Sequence, residues 1–391
     1  MNFVILTDYY HPIIKSGSII VGDLADQLIK QGHKVTIITF VNNQNIDCLV
    51  TFENNIQIIR IRTITRQFGM IGRLWAEYRY SNKIINNLKK LKNIKCDGII
   101  CYSPSIFYGS AIKWLKVEYN SKAYLIVRDI FPKWALDTGL LKKGVLYNYF
   151  KFIERKLYSV VDIIGIEAKA DYEYFEKYGL EKSIKIEILN NWGAVANQAD
   201  TRLHQNITNN NKVNIVYGGN MGDAQDLLSL ISLIDHSILD ERALLILIGS
   251  GNQFESIKDI IHRKKINNII LMPSVDRKTY LSILSNADIG LVSLGKKMLS
   301  NNYPLKMIGY MQLSKPILAS VNKNNEIIQM ILDKNVGLVS LAGNEEEFNK
   351  NLNILITKKT LRKEKGNNGF KLFNDKFTVQ VACSQIYNHF L

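Results

Sequence analysis

The chain has 391 residues, of which 47% are hydrophobic and 22% are charged, and its formal net charge is +15. This composition is typical of a globular protein and excludes a disordered one, and the length suggests two domains, each large enough to bury its own core. No apolar run approaches the ~20 residues of a membrane-spanning helix, and the first residues lack the basic start of a signal peptide. We therefore expect a cytoplasmic protein.

Short apolar runs alternate with helical patterns through the first half of the chain. A buried strand at Phe3–Thr7 precedes a helix over Ile19–Gln31, which ends at Gly32, where glycine best tolerates a left-handed backbone. The other elements predicted in this half are strands at Lys34–Phe40, Asn55–Arg60, Gly98–Tyr102 and Tyr124–Arg128, and a long helix at Leu74–Leu91.

The second half repeats this alternation. Its predicted helices include Gln225–Ile234 and Pro304–Leu313. Its predicted strands are Val213–Tyr217, Leu244–Gly249, Asn268–Met272, Ile289–Leu294, Pro316–Ala319 and Gly337–Ser340. Strands that alternate with helices build parallel sheets with right-handed crossovers. We therefore predict an α/β protein with two Rossmann-like, doubly wound domains.

The predicted domain boundaries follow from the polar stretch between the two halves. Residues 1–192 form the first domain and residues 193–372 the second, with a polar joint around Asn190–Asn211. Residues 373–391 are predicted to be a separate C-terminal helix that packs back toward the first domain.

In open α/β sheets, ligands bind outside the carboxyl ends of the strands, so the loops there are the candidate site. The loop after the first predicted strand ends in Lys15-Ser16-Gly17-Ser18, directly before a helix. Backbone amides at such a helix start can hold an anion, and Gly17 allows a close approach. An ordinary capped strand–helix loop remains an alternative.

Two glycine-rich loops follow strands of the second half. The segment Tyr217–Gln225 contains Gly218, Gly219 and Gly222, whose amides are unobstructed by side chains and suit a pyrophosphate. The segment Gly249-Ser250-Gly251-Asn252 follows the next predicted strand.

Two further loops carry charge at the end of a strand or the start of a helix. In Ser300–Met307, Pro304 is predicted at the first helical position, and the free amides of that turn together with Lys306 favour a phosphate. In Val127–Gly139, Arg128 and Asp129 either pair with each other or meet a substrate hydroxyl or phosphate.

Several classes of chemistry lack their motifs. The six histidines show no metal-ligand spacing, so no metal site is predicted, and the four scattered cysteines indicate neither zinc nor disulfides. Neither a Gly-x-Ser-x-Gly elbow nor a P-loop is present, which argues against serine hydrolases and P-loop NTPases. The segment Arg60–Lys95 holds ten basic residues and one acidic residue, a concentration that favours a local anionic partner over a merely solvated face.

Taken in order, several short motifs make the chain resemble the family 4 glycosyltransferases of the GT-B fold, over nearly its whole length. The first-half motifs are the Gly17 loop with Gly32–Thr39, Arg128–Pro132 and Leu189–Trp192. The second-half motifs are Gly219–Gln225, Ala287–Gly290, and Tyr303–Lys306 continuing through Tyr310-Met311 to Lys315-Pro316. The likeness is strongest to bacterial transferases that add N-acetylated deoxy-amino sugars, such as N-acetylfucosamine, in O-antigen (lipopolysaccharide) or capsule assembly.

The resemblance implies two domains facing across a cleft and a metal-independent transfer with retention at the anomeric carbon, without a cofactor. The donor would be a UDP-sugar held by the second half, and the acceptor a lipid-diphosphate-linked saccharide. Arg128, Asp129 and Lys306 would be catalytic. The implied donor-binding residues are Ser16, Gly17, Gly219, Asn220, Met221, Gly222, Gln225, Gly249, Ser250, Ser274, Val275, Asn302, Tyr303, Pro304 and Leu305.

The resemblance also implies peripheral association with the inner face of the cytoplasmic membrane. The Arg60–Lys95 region, with aromatic and apolar residues among its arginines, would contact the anionic surface beside the lipid-linked acceptor.

One position departs from the family pattern. Members of the wider family usually carry two glutamates eight residues apart, and Asn301 and Gly309 stand at those positions here. A glycine cannot bond a ribose hydroxyl, so a non-catalytic UDP-binding relative remains an alternative. A GT-B UDP-sugar 2-epimerase is another. A nucleic-acid binder is suggested by charge alone and is not expected, because no RNA-binding motif or recognition-helix pattern is present.

Overall fold

The computed structural model describes residues 1–13, 15–41, 47–63, 76–91, 93–137, 139–177, 179, 184–194, 207–208, 211–296 and 304–391. These residues form two compact units. Unit 1 contains Met1–Asn191 and Val379–Leu391, and unit 2 contains Trp192–Thr378.

Unit 1 is built on an eight-stranded sheet in the order β3-β4-β2-β1-β5-β6-β7-β8. The strands are β1 Asn2–Thr7, β2 Lys34–Val41, β3 Cys48–Glu53, β4 Ile56–Arg62, β5 Gly98–Tyr102, β6 Lys122–Ile126, β7 Ile163–Ile166 and β8 Lys185–Ile188. All neighbouring strands are parallel except the edge pair β3 and β4. The strand order reverses direction between β1 and β5, so this is the switch point of the sheet.

Helices cover the sheet of unit 1. They are α1 Ser16–Lys30, α2 Tyr80–Leu88, α3 Gly109–Tyr119, α4 Lys133–Asp137, α5 Val145–Tyr158 and α6 Tyr172–Glu176, with a 3₁₀ turn at Lys169–Asp171. The strands are apolar because helices bury both of their sides: β1, β2 and β5 are almost entirely buried. Phe40 and Tyr80 stack with ring centroids 3.6 Å apart in this core.

Unit 2 has a fully parallel six-stranded sheet in the order β11-β10-β9-β12-β13-β14. The strands are β9 Val213–Asn220, β10 Ala243–Ser250, β11 Ile269–Met272, β12 Ile289–Ser293, β13 Ile317–Val321 and β14 Gly337–Leu341. The helices are α7 Leu227–Leu233, α8 His236–Leu239, α9 Phe254–Arg263, α10 Arg277–Ser285, α11 Leu305–Gln312, α12 Glu326–Asp333, α13 Glu345–Thr357 and α14 Lys359–Lys376. The switch point lies between β9 and β12.

Unit 2 has a separate apolar cluster on each side of its sheet. One contains Ile246, Met307 and Phe373, and the other contains Tyr217, Leu247 and Phe348. Each unit therefore closes its own core around its own sheet, as expected for two doubly wound domains.

The last helix, α15 Val379–Tyr387, lies in unit 1. Tyr387 stacks on His33 with ring centroids 4.8 Å apart, and the Cys383 Sγ lies 3.3 Å from the Gln31 Oε1. The prediction of one helix over residues 373–391 is wrong in its boundaries, because α14 continues to Lys376 and α15 begins at Val379.

The other predicted strands and helices are confirmed within a few residues where the structure describes them, and three strands were missed. The β7 and β8 runs have only four residues each, and β3 is a half-exposed edge strand. The helix predicted at Leu74–Leu91 is described from residue 76, and its regular part ends at Leu88. Within the described ranges, no helix is long and apolar enough to cross a membrane.

Candidate functional site

The carboxyl ends of β9 and β10 lie side by side in unit 2, next to the switch point. The pairing sets Gly249 beside Gly219 and Ser250 beside Asn220. Gly219, Asn220 and Ser250 are exposed, whereas the strands below them are buried. The sequence therefore places exposed backbone where a doubly wound sheet binds its ligand.

Close backbone packing explains two of the predicted glycines. A Cβ on Gly249 would lie 1.8 Å from the Gly219 carbonyl oxygen, so only glycine fits there. Gly219 has φ +129°, a conformation that side chains rarely adopt. The Met221 N–H donates to the Ser250 carbonyl at 2.8 Å, which ties the two loops together.

The loop after β9 is held by its own side chains. The Asn220 Nδ2 donates to the Gln225 Oε1 at 2.8 Å, and the Tyr217 hydroxyl donates to the Asn220 carbonyl. The Ser293 hydroxyl at the end of β12 donates to the Gln225 carbonyl at 2.6 Å, so the loop is fastened across the switch point. Met221 is fully buried and anchors the loop in the core. The structure thus brings Gly219, Asn220, Met221, Gly222 and Gln225 together.

Lys306 is the cation of this region. Its ammonium lies 3.7 Å from the centroid of the Tyr217 ring, a cation–π distance. A Cβ on Gly219 would lie 3.6 Å from the Lys306 Nζ, so the ammonium is next to the exposed backbone after β9. Pro304 is the N-cap of α11, and Lys306 therefore lies in the first turn of that helix.

Burial lowers the pKa of Lys306 to about 7. No carboxylate of the described residues contributes to this shift. The location in the first turn is also unfavourable for a cation, because the amino end of a helix is its positive end. An anion would stabilise a half-buried ammonium in such surroundings, and the neighbouring backbone amides favour an anion as well.

Other predicted donor residues surround this loop. The Ser274 hydroxyl, after β11, donates to the Ser250 hydroxyl at 3.1 Å, and both residues are exposed. Val275 and Leu305 are half-buried. Asn302 and Tyr303 lie outside the described residues.

Gly309 follows Lys306 by three residues on α11, so the two positions share one helix face. A Cβ there would meet its nearest atom, the Leu284 Cδ2, at 3.6 Å, which is ordinary contact. Asn301 lies outside the described residues. The helix therefore has room for a side chain at Gly309 and carries none.

In unit 1, Gly17 lies in the first turn of α1 at the switch point of the sheet. A Cβ on Gly17 would lie 3.0 Å from the Tyr102 Cε1 at the end of β5, so the helix packs closely against that ring. The Lys15 N–H donates to the Ser18 hydroxyl at 2.9 Å, which caps the helix, and Ser16 is exposed beside Gly17. Both the capping alternative and the anion-binding prediction fit this geometry.

Arg128 and Asp129 differ sharply in their surroundings. Arg128 is buried, and its guanidinium donates to the carbonyls of Leu189 at 2.9 Å and Asn190 at 3.4 Å. Asp129 is exposed as a residue, yet desolvation of its carboxyl group raises its pKa, and Arg128 opposes the shift. The Arg128 guanidinium is therefore held by backbone carbonyls, and Asp129 is the more accessible of the pair.

Sequence reasoning missed Glu167, which follows the missed strand β7. Glu167 is buried, and the Asn191 Nδ2 donates to its Oε1 at 2.5 Å. Burial raises the pKa of the neighbouring Tyr102 above its usual range, with Arg128 opposing and Glu167 and Asp129 adding to the shift. The apolar run Ile163–Ile166 before Glu167 was the only signal in the sequence.

No group of three histidine, cysteine, aspartate or glutamate side chains is placed to hold a metal ion in the part of the chain that the structure describes.

Arg60, counted in the basic segment Arg60–Lys95, is not available to an external anion. It is 8% exposed and its guanidinium bonds the Glu53 carboxylate at 2.9 Å and the His11 carbonyl at 2.9 Å. Residues 64–75 and Lys92 of that segment lie outside the described residues.

Comparisons with known proteins place this geometry in context. Residues 200–372 match the family described as "Glycosyl transferases group 1". A Pseudomonas aeruginosa protein described as "Probable glycosyltransferase WbjE" is 23% identical over 240 residues, which are 60% of this chain. The aligned region spans 57% of the length of that relative.

Solved structures align with the whole chain. A sucrose-phosphate synthase from Thermosynechococcus elongatus matches with TM-score 0.75 and 14% identity, covering 100% of this chain and 98% of its own. Anabaena HepE in complex with UDP and glucose matches with TM-score 0.71 and 13% identity, covering 100% and 99%. WaaG, a glycosyltransferase involved in lipopolysaccharide biosynthesis, matches with TM-score 0.68 and 13% identity, covering 99% of each chain.

These likenesses confirm the predicted fold class, an α/β protein with two Rossmann-like units of the GT-B type. Unit 2 contains the residues that match the group 1 glycosyltransferase model, and Lys306 and the glycine-rich loops described above lie within the matched range.

Proposed function

We propose that the chain is a glycosyltransferase that moves a sugar from a UDP-sugar to a lipid-diphosphate-linked saccharide. In the proposed reaction, the bond between the anomeric carbon and the diphosphate oxygen breaks, and a bond to an acceptor oxygen forms. UDP leaves, and the acceptor hydroxyl loses its proton. The product keeps the anomeric configuration of the donor, and the transfer needs no metal.

The observation that carries this proposal is the ammonium of Lys306 beside the exposed backbone after β9. Departure of UDP builds negative charge on the diphosphate, and a fixed cation with backbone amides lowers the barrier to it. The pKa of Lys306, about 7 because of burial, rises when a diphosphate approaches, so the lysine is charged when it is needed.

The other donor contacts are assigned as part of the proposal. The amides of Gly219, Asn220 and Gly222 and the side chain of Gln225 hold the diphosphate together with Pro304 and Leu305 at the start of α11. Ser250, Ser274 and the backbone of Val275 hold the nucleoside. Asn302 and Tyr303 complete this set from the segment that the structure leaves undescribed.

Unit 1 is proposed to bind substrate at the carboxyl end of its own sheet. Ser16 and Gly17 at the start of α1 contact a phosphate, and Asp129 binds a sugar hydroxyl. Arg128 positions Asp129 and the chain at Leu189 and Asn190. The carboxyl end of each sheet is where doubly wound folds bind ligands, which supports both assignments.

The choice of UDP is supported by structural neighbours. HepE was solved with UDP and glucose, and TarM with UDP and a GlcNAc-glycerol ligand. Both are below 25% identity, so the nucleotide is proposed by analogy of fold.

WaaG acts in lipopolysaccharide biosynthesis, which supports surface polysaccharide assembly, such as O-antigen or capsule, as the process. An N-acetylated deoxy-amino sugar is the proposed donor sugar, and the protein is proposed to associate with the inner face of the cytoplasmic membrane.

Gly309 favours a second candidate, a relative that binds UDP without catalysis. The open position on α11 beside Lys306 offers no carboxylate to the ribose. Such a protein would bind UDP through the same loops and would release no UDP from any UDP-sugar.

The test compares UDP binding and turnover in wild type, Lys306→Met and the control Lys264→Met. Lys264 is an exposed lysine of the same unit, at the end of α9. We expect Lys306→Met to weaken UDP binding in calorimetry by about tenfold or more, since a charged hydrogen bond contributes ~1.5–3 kcal/mol. The control should match wild type.

Turnover is measured as UDP released from UDP-N-acetyl sugars with a lipid-diphosphate-linked acceptor. Acceptor-dependent release supports the transferase. UDP binding without any release supports the non-catalytic candidate, whereas UDP affinity that is unchanged in Lys306→Met contradicts the site itself.

A further inference from the structure

Helix α5, Val145–Tyr158, has an apolar face toward the core and a second apolar face toward solvent. On the core side, Phe150 and Leu157 are buried, and the Glu154 carboxylate accepts hydrogen bonds from Lys151, Tyr158 and Tyr174. The core side of α5 is therefore packed against the domain core, and its buried carboxylate is hydrogen-bonded. The opposite side includes residues whose side chains are largely exposed to solvent.

Three large apolar residues occupy the solvent side. Val145 is 89% exposed, Tyr149 39% and Phe152 51%, and their spacing of four and three residues puts them in one stripe along the helix. Leu146, 52% exposed, lies beside the stripe, and Leu140, 60% exposed, lies in the preceding turn. An exposed face of a helix in a water-soluble domain is normally polar, so a continuous apolar stripe indicates a binding surface.

Basic residues frame the stripe at both ends. Lys142 and Lys143 are exposed immediately before the helix, and Arg155 and Lys156 are exposed in its last turn. The Lys156 ammonium lies 4.4 Å from the centroid of the Phe152 ring. Between residues 139 and 161 the only acidic residue is Glu154, which is fully buried. Within residues 139–161 the exposed surface is therefore apolar at its centre and cationic at its ends.

We infer that Leu140, Val145, Leu146, Tyr149 and Phe152, with their basic rim, form a docking face that inserts into the interface of an anionic lipid bilayer. Apolar residues enter the boundary between headgroups and acyl chains, and the lysines and arginine contact lipid phosphates. The inference rests on the proposed function for its purpose, since a lipid-linked acceptor must be met at a membrane. The exposure and charge of this surface do not depend on that function.

The charge pattern favours a bilayer over a second copy of the chain. Two copies joined through this face would bring their basic rims together with no exposed acid between residues 139 and 161 to neutralise them. An anionic bilayer complements the apolar stripe and the rim at the same time.

The docking face also adjoins the basic segment considered from the sequence. Partial burial is the larger cause of the raised pKa of Tyr149, and the neighbouring Tyr78 adds to the shift. Tyr78 belongs to Arg60–Lys95 and is itself 56% exposed. The apolar contact with the membrane is thus assigned to α5, with Tyr78 of Arg60–Lys95 at its edge.

The test is co-sedimentation with vesicles of pure phosphatidylcholine and vesicles with about 30% phosphatidylglycerol, for the full chain. The test variant is Val145→Ser/Tyr149→Ser/Phe152→Ser. The matched control is Phe52→Ser/Val117→Ser/Phe370→Ser, three apolar residues that are also exposed but lie on other elements. A charge variant, Lys142→Gln/Lys143→Gln, is compared with Lys264→Gln/Lys265→Gln.

We expect wild type to bind the anionic vesicles and the apolar variant to bind them about tenfold or more weakly. The charge variant should lose roughly fivefold per lysine, with little change for either control. Each variant is also tested for UDP binding. Unchanged UDP affinity together with lost vesicle binding supports the docking face.

Three results would overturn the inference. One is equal vesicle binding by wild type and the apolar variant. Another is an absence of vesicle binding by wild type. The third is a wild-type dimer in sedimentation velocity that the apolar variant converts to a monomer, which would assign the face to a second copy. Vesicle binding that depends on the stripe in a protein that binds no UDP would retain the docking face and remove the proposed function.

Discussion

Lys306 shows how a single residue becomes chemically distinctive through its surroundings. In the sequence it is one of 50 basic residues, and nothing but its proximity to Pro304 sets it apart. In the structure its ammonium lies over Tyr217 and beside Gly219, and burial lowers its pKa to about 7. A lysine with this pKa is half charged near neutral pH, so its charge responds to an arriving anion.

The affinity for UDP is therefore expected to fall as pH rises from about 7 to about 9. The bound diphosphate favours the charged lysine and raises its pKa, so above pH 7 binding takes up a proton, and Kd rises up to about tenfold per pH unit. Calorimetry in buffers with different ionisation enthalpies measures both the affinity and the proton uptake.

Lys306→Arg is the control for this pH dependence, because an arginine remains charged throughout the range. Its UDP affinity should vary little between these pH values. A wild-type affinity that is flat over the same range would contradict the assignment of Lys306 to the diphosphate.

Arg128 and Asp129 are adjacent in sequence, but we expect their substitutions to affect stability and turnover differently. Arg128→Met leaves the carbonyls of Leu189 and Asn190 without their donor in a buried site, and we expect unfolding free energy to fall by ~2 kcal/mol. Asp129→Asn should leave stability nearly unchanged and lower turnover. Urea denaturation and UDP-release assays on both variants measure this difference, and a stable but inactive Arg128→Met would instead make Arg128 a catalytic residue.

Helix α11 shows how the element, rather than the residue, arranges the site. Its N-cap is Pro304, its first turn carries Lys306, and its buried face is formed by Met307, Tyr310 and Met311. The Tyr310 hydroxyl donates to the Leu291 carbonyl at 3.0 Å, which fixes the helix against β12 next to the switch point. The helix is thus anchored by its apolar face and presents its amino end to the loop after β9.

Gly309 is the weak position of that helix. Gly309→Ala should raise the unfolding free energy of unit 2 by up to ~1 kcal/mol, or about 2–4 °C in Tm, because a methyl group there meets Leu284 only at 3.6 Å. Differential scanning calorimetry measures the change. The comparison is Gly249→Ala, which should lower stability because its Cβ would lie 1.8 Å from the Gly219 oxygen. A destabilised Gly309→Ala would show that the open position is needed for packing.

At the scale of the whole molecule, each unit is a complete doubly wound domain with its own core and its own switch point. In unit 1 the switch lies between β1 and β5, beside Gly17 and Tyr102, and in unit 2 between β9 and β12, beside the loop Asn220–Gln225. The chain returns to unit 1 through α15. The docking face on α5 belongs to unit 1, so the proposed membrane contact and the proposed donor loops lie on different units.

Hydrophobic periodicity is sufficient to predict the alternation of strands and helices, and with it the two doubly wound units. Apolar runs such as Phe3–Thr7 and Leu244–Gly249 are unambiguous, because a strand buried on both sides is continuous in hydrophobic residues. Runs of four residues, such as Ile163–Ile166, were missed, because so short a pattern does not distinguish a strand from a piece of a helix. Because β7 was not predicted, Glu167 was not recognised as a residue at the carboxyl end of a strand.

Which charged residues are available to a ligand depends on packing and cannot be derived from local sequence patterns. Arg60 and Arg128 look like surface cations in the sequence, yet both are buried and bonded to backbone carbonyls. Lys306 is distinguished by a lowered pKa, and Phe152 by exposure, although each resembles many residues of its type. Periodicity records which side of an element is apolar, whereas solvation and charge environment depend on neighbours that are distant in the chain. Those neighbours are fixed by the packing of the whole unit.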